Sequence, residues 1–271
     1  MMSLFDIKDK VIAITGGYGV LGGSVAKYLA QNGAKVVIIG RNKEKGDEFV
    51  AEIEKEGGVA LFAQGNVTSD SDMEAVKDVI LEKFGTIDVL INAAGGNMPG
   101  ATIGPDSNIF NLNLSDMRSV IDLNYMGTII PSVILGKEIA EKGKGSIINF
   151  SSMSSQSVIT RVVGYSSAKA SIDNFTRWMS VEMAKKYGEK VRVNAVAPGF
   201  FLTEQNRTLL TNPDGSYTPR AEDIVRNTPF GRMGKADELH GVIHWLMSDA
   251  ASFVTGTVIP VDGGFSVFSG V

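Results

Sequence analysis

The sequence has 271 residues, 44% hydrophobic and 21% charged, with 26 Lys and Arg against 30 Asp and Glu for a net charge of −4. A chain of this size and balance can bury a core without metal or disulfide support. The absence of cysteine excludes disulfides, thiolate metal sites, iron–sulfur clusters and a Cys nucleophile, and the small negative charge gives no general attraction to nucleic acid or to an anionic membrane. Asp6, Lys8 and Asp9 interrupt the apolar stretch that a signal peptide would need, and no later apolar run reads as membrane-spanning. A cytoplasmic location is expected.

In chain order, a strand over Val11–Thr15 runs through Thr15-Gly16-Gly17-Tyr18-Gly19-Val20-Leu21-Gly22 into a helix over Val20–Gln31. Glycine permits positive φ and close backbone approach, and the helix N-terminus offers N–H groups and partial positive charge to a pyrophosphate. This context predicts a dinucleotide site lined by Gly16, Tyr18, Gly19, Leu21 and Gly22. A second strand, Val36–Ile39, ends at Gly40, eighteen positions after Gly22. An NAD-selective site would place an acid there for the ribose, whereas Gly40 followed by Arg41 leaves room and charge for a 2′-phosphate. NADP(H) is favoured, with NAD(H) the alternative if Arg41 is a solvated loop charge.

Helix Lys43–Glu56, strand Val59–Ala63, helix Ser69–Phe84 and strand Val89–Ile91 follow, then a Gly-, Asn- and Pro-rich segment, Gly95–Asn113. Helix Ser115–Ala140, strand Ser146–Phe150, helix Gly164–Tyr187 and strand Val191–Val196 lead to Phe200–Lys235, which carries an Asn-Pro-Asp-Gly turn at Asn212–Gly215. Helix Ala236–Met247 and strand Val258–Val261 complete the order. Continuous apolar strands alternating with helices predict a single α/β domain spanning 1–271, with a doubly wound, Rossmann-type, seven-stranded parallel sheet flanked by helices. The two irregular segments both begin after strands, at the carboxyl edge of the sheet, and predict a substrate rim and a lid at about residues 200–235.

Ser152 closes the fifth strand, thirteen residues before Tyr165 in Tyr165-Ser166-Ser167-Ala168-Lys169. Tyr165 and Lys169 are four apart and share a helix face. Alcohol–ketone interconversion needs a proton donor or acceptor at oxygen while hydride moves at carbon. A phenol with a pKa of about 10 is a poor base at neutral pH, but a neighbouring ammonium favours the phenolate and gives Lys169 a function. His240 and His244 lack the carboxylate of a His-Glu-x-x-His site and any evident third ligand, so no metal is expected. The Ser151–Ser155 cluster lacks the glycines of a hydrolase elbow.

Taken with Asn92-Ala93-Ala94-Gly95 after the fourth strand, Asn124 in the long helix, and Pro198-Gly199 through Thr203, these motifs resemble the short-chain dehydrogenase/reductase family over essentially the whole chain. The resemblance implies Tyr165 as acid/base, Lys169 on the nicotinamide ribose and lowering the phenol's pKa, Ser152 on the substrate carbonyl, and Asn124 anchoring a water of a proton relay. It implies cofactor contacts at Gly16, Tyr18, Gly19, Leu21, Gly22, Arg41, Asn66, Val67, Asn92, Ala93, Gly95, Tyr165, Lys169, Pro198, Gly199 and Thr203. It also implies a small-molecule substrate, no metal, no nucleic-acid or membrane partner, and a homotetramer that pairs the helices carrying Asn124 and Tyr165. Three departures stand out. Val20 occupies a usual glycine position, Ala93 a usual Asn, and Asn66 a frequent Asp that recognises adenine, although its carbonyl can accept the same bond.

Within the family, Gly95–Ala101, Pro198–Arg207 and Asp262–Ser266 resemble the sugar-acid branch of D-mannonate (fructuronate) oxidoreductases, with gluconate 5-dehydrogenases nearby. A polyhydroxylated acid needs amide partners and a cation, for which Asn97, Arg161, Asn206 and Arg207 are candidates. The arginines equally suit solvent or a neighbouring subunit. Alternative readings are gluconate 5-dehydrogenation, 3-oxoacyl thioester reduction, or a cofactor-sensing scaffold on the same fold.

Overall fold

Alternate residues of β1 (Val11–Thr15) enter different cores. Ile12 and Ile14 pack with Leu29, Val36, Ile38 and Leu246 on one face, whereas Val11 and Ala13 meet Val37, Ile39, Ile80 and Leu135 on the other. Burial on both faces is why the strands read as unbroken apolar runs. The computed structural model describes residues 4–270, the side chains of residues 204 and 205 excepted.

The other strands are β2 (Lys35–Gly40), β3 (Val59–Gln64), β4 (Val89–Asn92), β5 (Gly145–Phe150), β6 (Val191–Pro198) and β7 (Val258–Val261). They form one parallel sheet in the order β3-β2-β1-β4-β5-β6-β7, so the Rossmann-type expectation holds. Helices α1 (Val20–Gln31) and α9 (His240–Met247) bury their apolar sides in the first core, which α2 (Lys43–Lys55) joins through Ile53. Helices α3 (Asp70–Phe84), α5 (Gly127–Lys142) and α6 (Val163–Tyr187) cover the opposite face.

The helix expected over Ser115–Ala140 is broken into α4 (Leu114–Ile121) and α5 by a π-helical turn, Asp122–Met126. By length and composition alone, Leu114–Lys142 would pass for a membrane span, contrary to the sequence reading of its apolar runs. Half of that apolar window is buried, and α5 packs on α3, α6, β4 and β5 as a core helix does. Segment 200–235 contains two helices that its turn-rich sequence concealed, α7 (Glu204–Leu210) and α8 (Pro219–Arg226). Between them the Asn212–Gly215 turn forms as expected, with Gly215 at φ +86° and its amide donating to Asn212 O at 2.9 Å. Leu210, Ala221, Ile224 and Met233 give the segment a small core of its own.

Candidate active site

The topological switch falls between β1 and β4, whose last residues, Thr15 and Asn92, are paired. Thr15 Oγ1 accepts from the amides of Ala93 and Ala94, each at 3.1 Å, and ties the two strand ends together beneath the crevice. Gly16 then turns the chain at φ +63°, where a Cβ would stand 3.0 Å from Ala94 Cα. A Cβ at Gly22 would sit 2.5 Å from Gly16 O, so helix and turn can meet this closely only without a side chain. Gly19 caps α1 with no side-chain acceptor, and the first turn carries no acid. First-turn N–H groups are thereby left without a side-chain partner, at the end of the helix that favours negative charge. This cradle fits a dinucleotide pyrophosphate.

At the adenosine end three expectations change. A Cβ on Gly40 would lie 2.3 Å from the Tyr18 ring, and the Tyr18 hydroxyl accepts from the Asn42 amide at 3.1 Å. The room that the sequence reading gave to a 2′-phosphate at Gly40 is filled by this ring, which leaves the exposed Arg41 to meet such a charge. Asn66 engages its side-chain carbonyl with the Thr68 amide at 3.2 Å and hydroxyl at 3.0 Å, so the acceptor expected for adenine already serves a local turn. The Asn92 side chain turns into the sheet, donating to Ser132 Oγ and Asn149 Oδ1 at 2.9 Å each, and braces the crevice floor. Buried Val67 packs in the loop after β3, where a Cβ on Gly127 would approach its side chain to 2.8 Å. Gly199, beyond Pro198, donates its amide to Val261 O at 2.9 Å.

The reactive groups gather across β5 and α6. The Ser152 hydroxyl, which accepts from the Ser154 amide at 3.2 Å, stands beside the half-buried Tyr165 phenol. Burial pushes the phenol up, and the neighbouring Ser152 hydroxyl draws it partly back. Lys169 reaches the same ring from the next turn of α6. Its Nζ lies 5.4 Å from the Tyr165 ring centroid and donates to Phe150 O at 2.7 Å, so the ammonium faces the ring and is anchored to the end of β5. Burial brings Lys169 down to about 8, and the carboxylate of Asp173 opposes that fall. Gly95 is the contact point of the remaining groups, since a Cβ there would lie 2.6 Å from Asn124 Oδ1 and 3.4 Å from Lys169 Nζ. Asn124, in the π turn, donates to Gly96 O at 2.7 Å and to Val120 O at 2.8 Å, and accepts from the Gly96 amide at 3.2 Å. Such turns recur at functional sites, and this one aims a helix side chain at the β4 loop.

Asp173 was missed by the sequence reading. It lies one turn beyond Lys169 on α6, and its carboxylate accepts from the hydroxyls of Ser151 and, at 2.6 Å, Ser155, which fastens the loop carrying Ser152. The four-residue spacing from Lys169 is the signal that could have found it.

The substrate candidates separate. Arg161 stands on the loop between Ser152 and Tyr165 at φ +78°. Arg207 is exposed on α7. Asn97 donates to Thr102 Oγ1 at 2.9 Å within its own loop. Asn206 is occupied in capping α7: its Oδ1 accepts from the Thr203 amide at 2.7 Å and its Nδ2 donates to Phe201 O at 2.8 Å, a role that the substrate assignment overlooked. His240 and His244 bond Ser24 Oγ at 2.9 Å and the Tyr28 hydroxyl at 3.0 Å, joining α9 to α1. Among the described residues no group of three His, Cys, Asp or Glu could hold a metal.

A family model described as Enoyl-(Acyl carrier protein) reductase matches residues 19–266. The uncharacterized oxidoreductase UxuB of Bacillus subtilis is 43% identical to this chain, with 98% of each covered. The crystal structure of a Haemophilus influenza protein, provisionally named a D-mannonate oxidoreductase and holding NAD, superposes with a TM-score of 0.91 at 39% identity and 98% coverage of both chains. A gluconate 5-dehydrogenase from Burkholderia cenocepacia, in complex with NADP and tartrate, superposes with a TM-score of 0.85 at 30% identity over 97% of each.

Proposed function

The chain belongs to the short-chain dehydrogenase/reductase family, an oxidoreductase acting on CH–OH groups, and from that premise we propose that its substrate is a keto or hydroxy sugar acid, with D-fructuronate and D-mannonate the preferred pair. The observation that carries the substrate class is a cation, Arg161, on the loop that joins Ser152 to Tyr165. The sugar-acid chemistry named for the Haemophilus and Burkholderia proteins supports it.

The nicotinamide dinucleotide supplies or accepts the hydride when bound. Gly16, Tyr18, Gly19, Leu21 and Gly22 receive its phosphates, with Ala93, Gly95, Pro198, Gly199 and Thr203 along the crevice and Arg41 at the ribose. Arg41 supports NADP(H), and NAD(H) is the second cofactor to test. Ser152 holds the substrate oxygen by hydrogen bond, and Tyr165 gives that oxygen its proton in reduction and removes it in oxidation. The positive charge of Lys169, fixed by Phe150 O, stabilises the phenolate that the proton leaves behind. Asn124 holds the Gly95–Gly96 backbone against this centre and anchors the relay that returns a proton to Tyr165. Segment 200–235 is the lid over the substrate. A cytoplasmic homotetramer completes the reading.

The test is an absorbance assay with both cofactors over 2-keto and 5-keto sugar acids, 3-oxoacyl thioesters and steroids. Turnover of keto sugar acids is expected, and Tyr165→Phe should lower kcat by about 10²–10⁴-fold with cofactor binding retained. Activity confined to thioesters or steroids would refute the sugar-acid substrate.

A further inference from the structure

Arg161 is held in an unusual way. Only two described non-glycine residues have positive φ, Asp9 and Arg161, and a long side chain at φ +78° needs support from its surroundings. That support is visible: Arg161 O accepts from the Ile103 amide at 2.9 Å, which ties the loop before Tyr165 to the Gly95–Asn113 rim. A strained backbone kept beside reacting groups is a common mark of a functional constraint.

A second arginine reaches the same loop from segment 200–235. Arg220 occupies the second position of α8, in segment 200–235, and its Nη2 lies 3.5 Å from the carbonyl oxygen of Thr160, the residue before Arg161. Arg220 is half-buried. Its pKa is pushed down first by burial and then by the charge of Arg161, so the two guanidinium groups feel each other. Arginine ion pairs do form elsewhere in the chain, Arg226 with Asp223 and Arg232 with Glu238, but among the described residues neither Arg161 nor Arg220 has a carboxylate in salt-bridge range. Two like charges brought together without a counter-ion are unfavourable unless an anion joins them, and a carboxylate between two guanidinium forks is the favoured geometry for that.

We infer that Arg161 and Arg220 form a two-armed clamp for the substrate carboxylate, in which the contact of Arg220 with Thr160 O sets α8 against the catalytic loop and the bound acid locks segment 200–235 over the site. This deepens the sugar-acid reading and rests on it. Arg161 is the fixed arm, set by the loop that joins Ser152 to Tyr165. Arg220 is the arm that the lid carries. A neutral keto sugar would engage Ser152 and Tyr165 but would give Arg220 nothing to hold.

The experiment compares the parent with Arg220→Gln, Arg220→Lys and Arg161→Gln on two substrates of equal length, a keto sugar acid and the corresponding uncharged keto sugar. Calorimetric titration of the product hydroxy acid gives a second readout. Arg220→Gln should raise KM for the acid by on the order of 10- to 100-fold, as expected for loss of a charged hydrogen bond, and weaken hydroxy-acid binding in step. Its kcat, and its KM for the neutral sugar, should stay within about threefold of the parent, and Arg220→Lys should recover part of the loss. A parent that prefers the acid while Arg220→Gln behaves like it, or loses the two substrates equally, overturns the clamp and leaves the sugar-acid reading standing. A parent that handles acid and neutral sugar alike overturns both.

Discussion

Lys169 holds a charge where charge is disfavoured, and that leaves a thermodynamic signature. Its folded pKa is about 8 against an ordinary value of 10.5, because burial disfavours the ammonium more than Asp173 restores it. Below about pH 8 both the folded and the unfolded chain carry the proton, and the folded state bears the full cost of burying it. Between about 8 and 10.5 the unfolded chain still binds the proton while the folded one has released it, so stability rises with pH across that window by up to about 1.4 kcal/mol per unit. Above 10.5 both are neutral and the contribution vanishes. Urea unfolding of the parent and of Lys169→Met between pH 7 and 10.5 should therefore show the parent gaining roughly 3 kcal/mol relative to the variant. A difference that stays level with pH would mean that the amine is solvated. The same desolvation serves chemistry, since a cation in a poorly screened place acts more strongly on the phenolate of Tyr165.

At the scale of elements, what could be read in the sequence was whatever the local chain determines by itself. The glycine turn before α1, the two-sided strands and the Tyr165–Lys169 face each follow from spacing and residue type within one segment, and the structure keeps them in place. Features that depend on a distant partner stayed hidden. Tyr18 lies over Gly40 because the β2 strand end meets the turn after β1, and no spacing rule announces that contact. The π turn at Asp122–Met126 puts the Asn124 amide on Gly96 O, a bond to a residue twenty-eight positions earlier. Helix α7 was hidden for a related reason: at seven residues it is too short to stand on propensity, and its start is fixed by Asn206 bonding backward to the Thr203 amide and Phe201 O. Replacing Asn206 with Ala should remove about 1 kcal/mol of capping from a helix that needs it. Limited proteolysis within 204–218 is expected to quicken several-fold while Tm moves by no more than about 2 °C. Asn206→Asp keeps the acceptor and should restore part of the protection, whereas equal damage from both variants would put the capping in the Nδ2 bond to Phe201 O instead.

For the whole molecule, one group of exposed large apolar side chains lies on the two helices next to the catalytic residues. Val133 of α5 is 62% exposed, and Trp178 and Val181 of α6 are 63% and 54% exposed. Trp178 and Val181 are three residues apart and so share a helix face, and α5 packs beside α6. Large apolar side chains on two adjacent helices are what a symmetric interface buries, and a second copy presents the same residues in return. These are also the helices that fix the site, since Asn124 sits in the turn leading into α5 while Tyr165 and Lys169 ride on α6. Association should therefore stiffen the catalytic geometry as well as hide apolar surface. Sedimentation of the parent at micromolar concentration is expected to give the mass of four chains. Trp178→Glu with Val181→Asp would place uncompensated charges in the contact, which desolvation penalises heavily, and should give dimers or monomers with kcat reduced at least several-fold and the far-UV circular dichroism unchanged. A parent that sediments as one chain, or a double variant that remains tetrameric, would show that this face is solvent-facing, and the positioning of Asn124 and Lys169 would then rest on intrachain packing alone.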